Sequence, residues 1–241
     1  MKRLLTAALF AAAVSASATP HWAYEGLAGP DNWGTLGDEF ATCKNGKFQS
    51  PVDIRHPLDA DLPPLALNFH TAAESLVNNG HTLQVTANDE DEFWLDNKAF
   101  ILRQYHFHVP SENRINGKTF PLEAHFVHAS EDGEVAVIAV MFELGRENPA
   151  LNPLLTRIPA EKNRVVPIDK RLNLRPLFPD DLHYYRFSGS LTTPPCTEGL
   201  RWLVMKKPVS LSARQLAAFT RALEHHNNRP IQPLHGRVIV E

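Results

Sequence analysis

Two stretches, QYHFHV at residues 104–109 and EAHFVH at residues 123–128, alternate side chain by side chain, and that period of two commits the middle of the chain to a sheet. In an extended strand, residues two apart project from the same face, about 7 Å apart along the chain. His106 and His108 therefore share a face of one strand, and Glu123, His125 and Val127 share a face of the other. If the two strands are neighbours, three imidazoles can converge on one point. Three neutral imidazoles with a fourth position left open are the usual donor set of a catalytic zinc site, whereas structural zinc sites are closed by four protein ligands, mostly cysteines. With only Cys43 and Cys196, the chain is too poor in cysteine for the structural kind. Gln104 and Glu123 each stand two residues before a histidine on its own face, placed to accept the outer ring N–H and fix the tautomer. A histidine on an apolar strand can equally be a hydrogen-bonded core residue, so the pattern by itself leaves both readings open. No HExxH occurs, which disfavours a zinc protease of that type.

Around these strands the chain reads as mostly β. The run GEVAVIAVMFEL at residues 133–144 is apolar and β-branched with no helical stop, as expected of a buried central strand. Residues 65–70, 75–87 and 93–109 alternate as strands, with NNGH supplying a turn and His81 just past it. Pro110 ends the ladder, and SENRINGKTF forms a hairpin connection with Gly117 in its turn. TTPP at residues 192–195 must be a loop, because neither proline can donate to a ladder. Residues 148–157 suggest a short helix starting near Pro149. Residues 212–228 have helical periodicity, with Leu216, Phe219 and Leu223 on one face, Ser212 as cap, and His225 and His226 as a solvated end. The last segment, residues 229–241, reads as a proline-broken strand, and residues 21–36 as an irregular arm packed by its aromatic rings. Many strands against one clear helix give a single mostly β domain with a few short helices.

Residues 1–18 read as an export signal: Lys2 and Arg3, then a short apolar run too brief to span a bilayer, then Ala16-Ser17-Ala18 as a cleavage site. Residues 19–241 would then form the mature domain, with 22 basic against 27 acidic residues, a net charge of −5. A mildly acidic chain with no basic run gives no nucleic-acid surface and no membrane insertion once the signal is cleaved. In an oxidising compartment the two cysteines are either a disulfide or two buried free thiols.

Six motifs in order, FQSPVDI (48–54), NNGH (78–81), QYHFH (104–108), EAHFVH (123–128), SLTTPP (190–195) and NNRPIQPL (227–234), resemble the α-class carbonic anhydrases of bacterial, secreted type. They span nearly the whole mature chain. One departure is Val109-Pro110, where family members commonly have Trp-Gly after the second ligand. The resemblance implies a large twisted, mainly antiparallel central sheet and reversible hydration of carbon dioxide to bicarbonate and a proton on one zinc per chain. It makes His106, His108 and His125 the ligands, with Gln104, Glu123 and the Asn227 backbone supporting them. Thr192 would orient the zinc hydroxide while its own hydroxyl donates a hydrogen bond to Glu112, and His81 would shuttle protons. Val127 can wall an apolar pocket on spacing alone; Val137, Leu191 and Trp202 join it by resemblance, and Thr193, Asn79 and Tyr24 would line the cavity. The family also favours a Cys43–Cys196 bridge, sulfonamide and anion inhibitors, a monomer or homodimer, and a periplasmic or secreted location.

Two other classes stay in view. HFHVPSE fits a cupin-type iron or manganese oxygenase with Glu112 as ligand, although the glycine expected before the first histidine and a second motif are missing. A metal-free binding module on the carbonic anhydrase fold would have lost ligands, and none is lost here.

Overall fold

The computed structural model describes residues 21–69, 73–87, 91–168 and 172–241; the export signal expected at residues 1–18 lies outside the described residues. The amino-terminal arm is wound into short turns that include α1 (Trp33–Leu36) and α2 (Thr42–Asn45). Its rings pack together as expected, with Trp33 buried and its indole N–H donating to the Ala23 and Ala28 carbonyls. The strands follow as β1 (Asp53–Ile54), β2 (Leu67–Asn68), β3 (Ser75–Asn78), β4 (Leu83–Thr86), β5 (Glu92–Leu95), β6 (Lys98–His108), β7 (Arg114–Ile115), β8 (Leu122–Ala129) and β9 (Val135–Leu144). After α3 (Asn152–Leu155) come β10 (Val165–Pro167), β11 (Tyr184–Ser190), β12 (Glu198–Met205), β13 (Val209–Leu211) and α4 (Ala213–Leu223).

Among the described residues, eleven strands form one sheet, with β10-β3-β4-β6-β8-β9-β12-β11 as its main path. Its pairs are antiparallel except where β12 and β13 run parallel to β9. The apolar run at β9 is central, as its sequence requires, and is covered on both faces from Ala136 to Phe142. On one face the larger core holds Tyr105, Phe107, Phe126 and Ile138, with Phe107 against Phe219 of α4 at a ring separation of 4.7 Å. On the other face a smaller core holds Val137, Ala139, Trp202 and Val204. The three candidate histidines project on this second side.

That projection depends on a bulge. Pairing of β6 with β8 slips between Leu102 and Gln104, so Arg103 is an extra residue. Phe100 and Leu102 before it, and Tyr105 and Phe107 after it, all reach the larger core. The odd residue re-phases the strand, which leaves Gln104, His106 and His108 on the opposite face.

Several elements differ from the sequence expectation. The stretch at residues 93–109 is a hairpin, not one strand, because Asp96 and Asn97 adopt φ of 52° and 61° and close a turn between β5 and β6. The helix expected over residues 148–157 is confined to Asn152–Leu155, with proline in its first turn. The carboxy-terminal segment makes no strand: Pro230 and Pro233 remove donors, and only Val240 bridges Leu58 and Arg186. The Gly117 turn closes on an Ile115–Lys118 bridge, but β7 also pairs in parallel with β1. The cap expected at Ser212 is present, as a capping box with Gln215, but α4 stops at Leu223, because Glu224 turns left-handed at φ of 64°, so His225 and His226 lie beyond the helix.

Candidate metal centre

Register across β6 and β8 sets His106 opposite His125 and His108 opposite Glu123. The ring centroids are 4.5–5.3 Å apart, and one donor atom from each of the three histidines lies within 4.8 Å of the others. Each outer nitrogen is engaged. His106 Nδ1–H donates to Gln104 Oε1 at 2.8 Å, His108 Nδ1–H to the Asn227 carbonyl at 2.6 Å, and His125 Nε2–H to Glu123 Oε1 at 2.9 Å. These bonds fix the tautomers and leave Nε2 of His106 and His108 and Nδ1 of His125 as inward lone pairs.

Burial holds all three imidazoles toward the neutral form that binds metal. His106 and His125 are lowered well below the ordinary histidine value by burial and then by the neighbouring rings; His108 is lowered by burial against the opposing pull of its Asn227 bond. The inward His108 Nε2 is buried without a hydrogen-bond partner, and so is Glu112 Oε2, 3.6 Å away. Two buried lone-pair atoms left facing one point fit a divalent cation better than an apolar void. Three imidazoles suit zinc or another transition metal rather than calcium or magnesium.

Glu112 is clamped beside the triad. Its backbone N–H donates to Glu123 Oε2 at 2.6 Å, and its Oε1 accepts from the Arg229 backbone N–H at 2.8 Å. Burial pushes its carboxyl well above the usual range, opposed by the Arg229 N–H and by the hydroxyl of Thr192. Thr192 is itself buried, in the loop after β11, and Thr193 beside it is half-exposed. Cys196 ends that loop and is bonded to Cys43.

Val127 and Leu191 are half-buried against Val137 and Trp202, and the Trp202 ring stands edge-on to His125 at 4.9 Å. Tyr24 is packed against Trp22 and Trp33, its hydroxyl pushed well up by burial and by Glu112. His81 is half-buried and stacked on Trp22 at 3.9 Å. Asn79 spends its amide oxygen inside the turn, accepting from the backbone N–H of His81 and Thr82 at 2.9 Å each. His225 is no solvated terminus; its Nε2 lies 3.2 Å from the Gly80 carbonyl.

Sequence reasoning missed two supporting residues. Arg229, buried, donates through its guanidinium to Gln49 Oε1, Ser50 O and Cys43 O. Gln49 in turn donates to Cys196 O and Glu198 Oε1. Both lie inside quoted motifs, FQSPVDI and NNRPIQPL, which was the available signal.

Three imidazoles brought together by the middle strands of a large sheet could hold a metal ion, and three histidine donors match a catalytic rather than a cysteine-closed structural set. The chain belongs to the eukaryotic-type carbonic anhydrase family, whose model matches residues 28–241. It is 48% identical over 240 residues to a carbonic anhydrase of Pectobacterium carotovorum, covering 99% of this chain and 98% of that one. It is 47% identical to one of Klebsiella pneumoniae, covering 92% and 91%. The α-carbonic anhydrase of Thermovibrio ammonificans, solved with the inhibitor sulfanilamide, superposes with a TM-score of 0.90 at 43% identity, covering 93% of this chain and all of that one. The cupin alternative falls with this family and with the single large sheet.

Proposed function

We propose that the chain catalyses the reversible hydration of carbon dioxide to bicarbonate and a proton, with one zinc ion held by His106, His108 and His125. The carrying observation is the triad: three inward nitrogen donors within 4.8 Å, each ring braced from behind by an acceptor. Bound zinc supplies the positive charge that favours the carboxylate form of Glu112 and lowers the pKa of a water to about 7, a value known for carbonic anhydrase as a class rather than read from this chain. The protein's own groups aim the reaction. Glu112 accepts the Thr192 hydroxyl hydrogen, so Thr192 Oγ1 has only lone pairs left toward the site. It can accept a hydrogen bond from the attacking oxygen and disfavours ligands with no hydrogen to give. Val127, Val137, Leu191 and Trp202 offer an apolar wall suited to a linear, uncharged, weakly solvated substrate. His81, at the rim, carries the released proton to buffer; burial and the neighbouring His21 and His225 hold it below its ordinary value of 6.5, toward the accepting form. Thr193, Asn79 and Tyr24 complete the polar side.

Export to the periplasm belongs to the same reading, supported by the signal pattern of residues 1–18 and by the Cys43–Cys196 disulfide. No helix among the described residues is long and apolar enough to cross a membrane. Stopped-flow carbon dioxide hydration on chelator-stripped protein tests the function. Activity is expected to vanish and to return to a plateau at one zinc per chain. Zinc binding without hydration would make this a binding module on the same fold.

A further inference from the structure

His81 sits in a turn held from several sides. Gly80, at φ of 85°, donates to Asn78 Oδ1, His81 N donates to Asn79 Oδ1, and the Asn227 amide donates to the His81 carbonyl at 2.9 Å. Against this turn lies His225, just past the left-handed Glu224 that ends α4. Its two ring nitrogens both face carbonyls: Nδ1 is 3.0 Å from His226 O and Nε2 is 3.2 Å from Gly80 O. A neutral imidazole has one N–H and one lone pair, so between two carbonyls it makes a single hydrogen bond. Only the imidazolium makes both.

We propose that His225 is a positioning residue for His81, its ring clasping the Gly80 carbonyl and so tying the turn that carries His81 to the end of α4. The proposal rests on the reading of His81 as proton carrier. Few ionisable groups surround the clasp. His21 stands edge-on to His81 at 6.5 Å, the Tyr24 ring lies 6.0 Å from His225, and Lys162 passes the turn while pairing Glu224 at 2.9 Å. His226 is exposed beside them. A charged His225 also favours the neutral form of His81, adding to the effect of burial and of His21.

The test uses the zinc-loaded enzyme with His225→Gln, which keeps one donor without charge, and His225→Leu, which removes both. In both variants the His81 ring resonance should titrate at higher pH than in the native enzyme. In His225→Leu the backbone amides of residues 80–82 should exchange several-fold faster. Turnover in weak buffer should fall while kcat/KM stays unchanged. An unmoved His81 titration together with unchanged exchange overturns the proposal. His81→Ala, run alongside, separates the two readings: full turnover of that variant in weak buffer would end the shuttle role, while titration and exchange would still decide whether His225 positions His81. If neither His225 variant folds, the milder His225→Asn is read by the same exchange measurement, and unchanged protection of residues 80–82 overturns the clasp.

Discussion

Each triad histidine is held by a bond on its far side, so losing one ring also strands the group that braced it. His108→Ala would remove an inward donor and leave the Asn227 carbonyl facing a cavity. Metal content by atomic absorption and hydration activity are expected to disappear together, and full zinc occupancy with normal turnover would show that the ligand set is wrong. His128, three residues after His125 and on the other face of β8, does a different job. It is buried beside Phe69 and Phe93, with Nδ1–H donating to the Phe126 carbonyl at 2.8 Å, and burial pushes it down to about 3. A group depressed on folding contributes stability that is fully present above its unfolded value of 6.5 and is lost as the pH falls toward 3. Native protein should therefore lose about 2 kcal/mol more than His128→Phe between pH 7 and pH 5, measured by urea unfolding. Residue spacing made the triad legible, because a period of two dictates faces; it did not separate His125 from His128 in burial, since both faces of this sheet are covered.

At the level of elements, the loop that carries Thr192 is fixed by a segment far away in sequence. Ser50 and Ser190 exchange backbone-to-hydroxyl bonds, and Gln49 reaches the Cys196 carbonyl, Glu198 and the Arg229 guanidinium at once. Arg229 holds Glu112 through its backbone N–H, so Gln49 links the supports of both members of the Thr192–Glu112 pair. Gln49→Leu strips buried partners from Arg229 and from a loop carbonyl and should cost about 2 kcal/mol or more in denaturant unfolding, with a fall in turnover. No change in either would remove Gln49 from this role. The motif was visible as FQSP, but its partners lie 147–180 residues away, beyond any local periodicity. The bulge at Arg103 was legible in principle, since apolar residues shift from even positions (Phe100, Leu102) to odd ones (Tyr105, Phe107). Strand endings at the carboxy terminus were less so, because an alternating sequence needs a neighbour with free donors before it becomes a strand.

For the whole molecule, the Cys43–Cys196 bond closes a loop of 153 residues and ties the amino-terminal arm to the Thr192 loop. In the chain-entropy model such a closure contributes about 4–5 kcal/mol by restricting the unfolded chain. The double variant Cys43→Ser, Cys196→Ser should unfold at markedly lower denaturant than the oxidised protein, and equal midpoints would show that the bond adds nothing. The amino-acid sequence by itself determined the β class, the three histidines and their two side-chain braces, because strand period and ligand chemistry are local properties. It also carried the family motifs from which the Thr192–Glu112 pair, the Asn227 carbonyl and the disulfide follow. Only the tertiary structure decided what those motifs rest on: the bulge that turns His106 and His108 away from the larger core, the Gln49–Arg229 bracket and the His225 clasp on the His81 turn. Each depends on contacts between segments distant along the chain, and such contacts exist only once the sheet has brought those segments together.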